Sequence, residues 1–231
     1  MLNNKKLQTI VRASLGDAAP PCPEMMKEAY IAQVKQFHSV SSVISEKARA
    51  AHLKLYQNYV TRLNEVSARL DGGGKMEANS SNSEWRSLKS DEAYLLNAVW
   101  FHELFFANAF DTASEIFMDT LAYIHLQRDW GTFEAWQADF YATALASREG
   151  WVVCGYNMYL KRFVNTFVDG HSTGVQAGLI PLIVVDVWSH SYCIDFGAEV
   201  GKYVATMMQQ LNWEIIEERI TKITKINEAM R

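Results

Sequence analysis

Asp186 and His190 stand four residues apart, at the end of the apolar run Gly178-Leu179-Ile180-Pro181-Leu182-Ile183-Val184-Val185. The chain thus delivers a carboxylate and an imidazole out of a buried segment into a turn. Carboxylate oxygen and imidazole nitrogen are ligands for first-row transition metals. An i, i+4 pair can aim both groups at one point when the chain turns helically. The plainer alternative is an aspartate capping a short helix whose histidine packs on the core. Residue types and spacing alone leave both readings open.

The elements that must position this pair can be read from the rest of the chain. It has 231 residues, 49% of them apolar and 21% charged, enough to bury a sizeable core and far from a disordered composition. A net charge of −4 provides no global basic field and argues against autonomous nucleic-acid binding. It leaves open docking onto a ribonucleoprotein through a local patch. Cys22, Cys154 and Cys193 show no paired spacing, so free thiols in a reducing compartment are expected. No apolar run reaches the roughly 18 residues needed to span a bilayer, so no membrane association is expected. The N-terminus carries Lys5, Lys6 and Arg12 and no acidic residue before Asp17. That composition fits a mitochondrial targeting segment and equally an ordinary basic tail.

Ala19-Pro20-Pro21-Cys22-Pro23 separates an N-terminal extension, residues 1–23, from the folded body. From Glu24 to about Leu70 the pattern is helical, with an interruption near Ser39 to Ser42 and apolar positions at Leu53, Tyr56, Val60 and Leu63. Asp71-Gly72-Gly73-Gly74 stops this helix, and Ser90-Asp91-Glu92 opens a second one running through Asn108. Phe133 to Ser147 is helical again. Strands are expected at Gly150 to Tyr156, Met158 to Phe167 and Leu179 to Val187, and helices at Tyr192 to Leu211 and Glu214 to Ile226. The fold class is α+β: a helical hairpin domain over 24–115, then an α/β domain with a small three-stranded sheet over 116–231.

The sequence Pro181-Leu182-Ile183-Val184-Val185-Asp186-Val187-Trp188-Ser189-His190-Ser191-Tyr192 resembles the C-terminal signature of iron/manganese superoxide dismutases, P-L-[LIV]-x-[LIV]-D-V-W-E-H-A-Y-Y. Tyr59 to Asn64 resembles that family's Y-V-x-x-L-N helix, and Val99 to Phe106 its V-W-N-H-x-F-Y-W segment. Gly131 to Trp136 with Gly150-Trp151 resembles its F-G-S-x-x-x-F and S-G-W pair, and Leu211-Asn212-Trp213 its closing I-N-W. Together these segments cover roughly Ala48 to Glu218. The resemblance implies an antiparallel helical hairpin followed by an α/β domain with a three-stranded antiparallel sheet.

It also implies one iron or manganese ion held by three histidines and one aspartate. His102, Asp186 and His190 carry over. The fourth ligand is expected eight residues before Tyr59, at Ala51. His52 lies next to it, and one residue rotates a side chain by about 100° round a helix. His52 is therefore expected to point away unless a local bulge restores it. The glutamine that the family places beside the metal-bound solvent is absent from the second helix, where Ala98 stands. His171, fifteen residues before Asp186, could take that role or be a plain loop histidine. Tyr59 matches the family's gateway tyrosine, and Trp151 and Trp188 match pocket-lining tryptophans.

The family's dimer motif departs at three points: Ser189 replaces a glutamate, Cys193 a tyrosine, and Leu55 that tyrosine's histidine partner across the dimer. Losing both members of a hydrogen-bonded pair leaves no orphaned polar group, so the interface reads as reshaped and suited to a related chain. The expectation from sequence is accordingly a superoxide-dismutase-like structural protein that binds no cofactor. By its resemblance it is most similar to the non-catalytic members of the mitochondrial ribosomal small subunit, paired with a related chain in a ribonucleoprotein. The alternative is an active iron or manganese superoxide dismutase in which Tyr59 and His171 serve catalysis.

Overall fold

The computed structural model describes residues 32–37, 42–72, 75–109 and 112–229. The expected N-terminal extension, its proline cluster, Cys22 and the first residues of the expected helix from Glu24 lie outside these residues. The described residues from Val34 onward form one compact unit.

Helix α1, Glu46–Gly72, is long because its apolar stripe never breaks: Ala48, His52, Tyr56, Val60, Leu63, Val66 and Leu70 are its buried residues. Ser45 caps it, its hydroxyl accepting from Ala48 N at 3.2 Å, while Asp195 Oδ2 accepts from Ser45 N at 2.8 Å. Helix α2, Glu84–Ala109, begins earlier than the expected Ser90. Ser83 explains the difference: its hydroxyl accepts from Arg86 N at 3.2 Å, an N-cap about two turns ahead of the Ser-Asp-Glu signal. Helices α1 and α2 pack on each other, and α2 also packs on β3.

Helix α3, Leu121–Trp130, was not foreseen in the sequence. Its start is held by the Thr120 hydroxyl and by Glu217, whose two carboxylate oxygens accept from Leu121 N and Ala122 N, each at 2.8 Å. That second cap comes from the far end of the chain and leaves no local signature. Helix α4, Phe133–Ala146, follows directly, opened by Thr132.

The three strands β1 (Gly150–Asn157), β2 (Arg162–Asp169) and β3 (Leu179–Asp186) form an antiparallel sheet in the order β2-β1-β3. Central β1 is buried along its whole length, which is why it reads as an unbroken apolar run. Strand β2 starts four residues later than expected because Met158 to Lys161 form the turn: Asn157 Oδ1 accepts from Tyr159 N and Leu160 N, and Lys161 takes a φ of 54°. At Gly150 a Cβ would stand 1.9 Å from Val168 O, so only glycine admits this close strand pairing.

The expected single helix from Tyr192 to Leu211 is two helices, α5 (Ser189–Phe196) and α6 (Val200–Gln209). Gly197, at φ 59°, ends α5 in the left-handed region and turns the chain. Helix α7, Trp213–Ala229, closes the fold. No helix of the described residues is long and apolar enough to cross a membrane.

A buried polar seam ties α2, β3 and α7 together. Arg219 donates to Leu182 O at 2.9 Å and to Asn108 Oδ1, while Asn108 Nδ2 donates to Leu182 O at 3.2 Å. Burial pulls the Arg219 guanidinium down to about 10. Removing it leaves the buried Asn108 Oδ1 without its donor, so Arg219→Ala should cost about 1–3 kcal/mol in urea unfolding. Both bonds leave one guanidinium nitrogen, so Arg219→Lys, whose ammonium can donate twice, should recover part of this.

Candidate metal centre

Four elements meet at one buried point. Helix α1 supplies His52, α2 supplies His102, the end of β3 supplies Asp186 and the first turn of α5 supplies His190. One ligand atom from each lies within 4.8 Å of the other three. Asp186 Oδ2 is the hub, 3.1 Å from His52 Nε2, 3.5 Å from His190 Nε2 and 3.9 Å from His102 Nε2. Its other oxygen, Oδ1, accepts from Trp188 N at 2.8 Å. The aspartate does not cap α5: its Oδ1 accepts from Trp188 N in the turn before the helix, while Oδ2 faces the imidazoles.

The placement of His52 corrects the expectation that it points away. It is 4% exposed, and its ring meets those of His102 and His190 edge-on at 5.1 and 5.0 Å. Helix α1 is α-helical throughout, so the eight-residue offset to Tyr59 does not apply. His52 and Tyr59 are seven residues apart (59 − 52), close to two full turns of about 7.2 residues, and share a face. The sequence did carry the signal: the stripe Tyr56, Val60, Leu63, extended back by one turn, lands on His52.

Protonation follows from the hydrogen bonds. His102 Nδ1 donates to Ala98 O at 2.6 Å, which leaves the Nε2 lone pair aimed into the site. His102 Nε2 and His190 Nε2 are buried and make no hydrogen bond. Unpartnered buried nitrogens are costly, and a cation at the point where they converge would satisfy both. Burial, with the neighbouring His52, depresses His102 to about 3. Burial lowers His52 as well. For His190 burial pulls downward, but the Asp186 carboxylate 3.5 Å from Nε2 outweighs it and raises the value. Burial likewise opposes ionisation of Asp186, yet the neighbouring His190 and the hydrogen bond with His52 hold it well below the usual carboxylate range. Three imidazoles and one carboxylate, all borderline nitrogen and oxygen donors, fit a single first-row divalent or trivalent ion.

A second layer surrounds the ligands. Trp151 stands edge-on to His102 at 4.8 Å, and Trp188 stacks on His190 at 5.8 Å. His171 is brought to the site and is fully buried. Trp151 Nε1, a donor only, donates to His171 Nδ1 at 2.9 Å, so the ring proton sits on Nε2, which donates to the Tyr59 hydroxyl at 3.2 Å. Burial, with the nearby Tyr94 and Asp186 charges, pushes Tyr59 up to about 12, so its phenol stays protonated. Ala98 is fully buried and contributes no polar group. Two residues near His171 went unnoticed in the sequence: Asn97, whose Nδ2 donates to His171 O at 2.7 Å, and Tyr94, whose ring lies 4.6 Å from the imidazole. Nothing local marks either one, because their partner lies far along the chain.

A helical layer and a three-stranded sheet enclose one histidine- and aspartate-lined point that could hold a single metal ion. Residues 120–219 match the family model of iron/manganese superoxide dismutases, C-terminal domain. A superoxide dismutase [Fe] of Aquifex aeolicus is 30% identical over 179 residues, covering 76% of this chain and 83% of that protein. The superoxide dismutase [Fe] of Cupriavidus metallidurans is 32% identical over 175 residues, 74% of this chain and 85% of its own. Superoxide dismutase [Mn] 1 of Halobacterium salinarum is 35% identical over 91 residues, 39% of this chain. The chain belongs to the iron/manganese superoxide dismutase family.

The buried histidines make the metal-free protein acid-sensitive. His102, lowered from 6.5 to about 3, and His171, lowered to about 4, stay neutral in the fold while the unfolded chain takes up protons below about 6.5. Stability therefore falls as pH drops from about 6.5 to 4, on the order of 1.4 kcal/mol per unit for each buried histidine. His190 does not cancel this slope, since a raised group keeps its full contribution below its unfolded value. Urea midpoints at pH 7, 5.5 and 4 should decline steadily. A flat profile would refute the neutral-histidine assignment.

Proposed function

We propose that the chain is a metal-dependent superoxide dismutase that converts two superoxide ions and two protons to oxygen and peroxide. One observation carries this reading: the ligand atoms of His52, His102, Asp186 and His190 converge within 4.8 Å, with His102 Nε2 and His190 Nε2 buried and without a hydrogen bond. The relatives in iron and manganese forms bear the same name. A bound iron or manganese ion would supply the one-electron chemistry, taking an electron from one superoxide and giving one to the next.

The chain's own residues do the rest. The four ligands hold the ion, and Asp186 Oδ1, tied to Trp188 N, cannot swing away from the point its partner oxygen faces. His171 donates to the Tyr59 oxygen, which leaves the Tyr59 hydrogen free for another acceptor. Tyr59 therefore holds a proton at its oxygen at neutral pH, ready for a substrate that must gain one. Buried Trp151, Phe106 and Tyr56 limit water around the ligands.

Metal analysis and a superoxide assay on purified full-length protein test the reading. About one iron or manganese per chain with rapid turnover is expected. His52→Ala should lose most of the metal, since it removes one of four ligands. Tyr59→Phe should keep the metal and lower turnover on the order of tenfold or more. Intact protein that takes up neither ion would sink it.

A second reading rests on residues of α5 and α1. Ser189, Cys193 and Leu55 stand where the resemblance expects glutamate, tyrosine and histidine, and Cys193 is exposed. That substitution supports a non-catalytic superoxide-dismutase-like component of a mitochondrial ribosomal small subunit, paired with a related chain. Metal-free, inactive protein co-sedimenting with ribosomal particles from mitochondria would favour it over the enzyme.

A further inference from the structure

Ala98 presents no polar group to the site, so the donor facing Tyr59 must come from elsewhere, and it comes from the loop after β2. A loop residue has no ladder or helix to hold it, and a donor displaced by about 1 Å loses much of its effect. His171 is nevertheless fully buried, because four contacts converge on it. Gly170 N donates to Glu149 O at 2.7 Å, with Gly170 at φ 62°, and this sets the turn that aims the ring inward. Trp151 Nε1 fixes the tautomer from β1. The other two contacts come from α2: the Asn97 amide grips the His171 carbonyl at 2.7 Å, and the Tyr94 ring packs edge-on against the imidazole at 4.6 Å and 76°.

We infer that Asn97 and Tyr94 are positioning residues that hold His171 as a fixed Nε2–H donor to Tyr59. They lie one and two turns ahead of His102 on the same helix, so α2 sets both a metal ligand and the donor beside it. The kinetic consequence rests on the dismutase reading; the structural role does not.

The test compares wild-type full-length protein with Asn97→Asp and Tyr94→Leu. Asn97→Asp keeps the shape of the side chain but removes the N–H and sets an acceptor against a carbonyl. Nitrogen-15 NMR of the histidine rings should show wild-type His171 bare at Nδ1 and protonated at Nε2. Both variants should shift or broaden the His171 signals while the His102 signals and the metal content stay as in wild type. Turnover should fall by about three- to tenfold with KM unchanged. Tyr94→Phe, which keeps the ring, should leave the His171 signals in place. Unchanged His171 signals in both Asn97→Asp and Tyr94→Leu would overturn the inference. If one of these variants fails to fold, the other decides. Wild-type protein without turnover would sink the dismutase reading and leave the NMR comparison to judge the positioning role.

Discussion

The Asp186 carboxylate is the constraint on which the rest of the site depends. It is fully buried and ionised, a state that is tolerated only with strong partners on every side. One oxygen is committed to the backbone of Trp188 and the other to three imidazoles. Each imidazole arrives on a different element, so α1, α2 and α5 must all close on the end of β3. The centre is thus less an ornament on the fold than the place where its parts are forced to agree.

Much of this was legible in the sequence, and the failures have physical causes. Asp186, His190 and His102 lie in contiguous motifs, and the strands β1 and β3 read clearly because buried central strands are unbroken apolar runs. His52 was misjudged because an offset suited to another helix was applied to α1, whose own stripe gives the right face. The caps were harder. Ser83 was visible but outweighed by a stronger signal at Ser90, whereas Glu217 caps α3 from 96 residues away and nothing local announces it. Gly197 was in plain sight, yet one glycine does not say whether a helix pauses or turns.

The second layer shows the same division between near and far. The resemblance located a missing polar group at Ala98 and a candidate replacement at His171. What it could not supply was the set of grips that makes a loop histidine behave as a fixed donor. Those grips come from residues with ordinary local roles on an ordinary helix. The departures at Ser189 and Cys193 on α5 and at Leu55 on α1, by contrast, leave the ligand atoms in place.

The span of the chain that the centre bridges has its own consequence. His52 and Asp186 are 134 residues apart, and Asp195 holds the start of α1 through Ser45. An ion gripped at this point ties distant parts of the chain together much as a covalent staple would, restricting the ensemble that opens on unfolding. Loading with metal would then double as a structural lock, whose strength would grow with free-ion concentration relative to the dissociation constant. Because the ligand atoms converge only where the helical hairpin meets the sheet, such a lock would hold these two parts of the fold together.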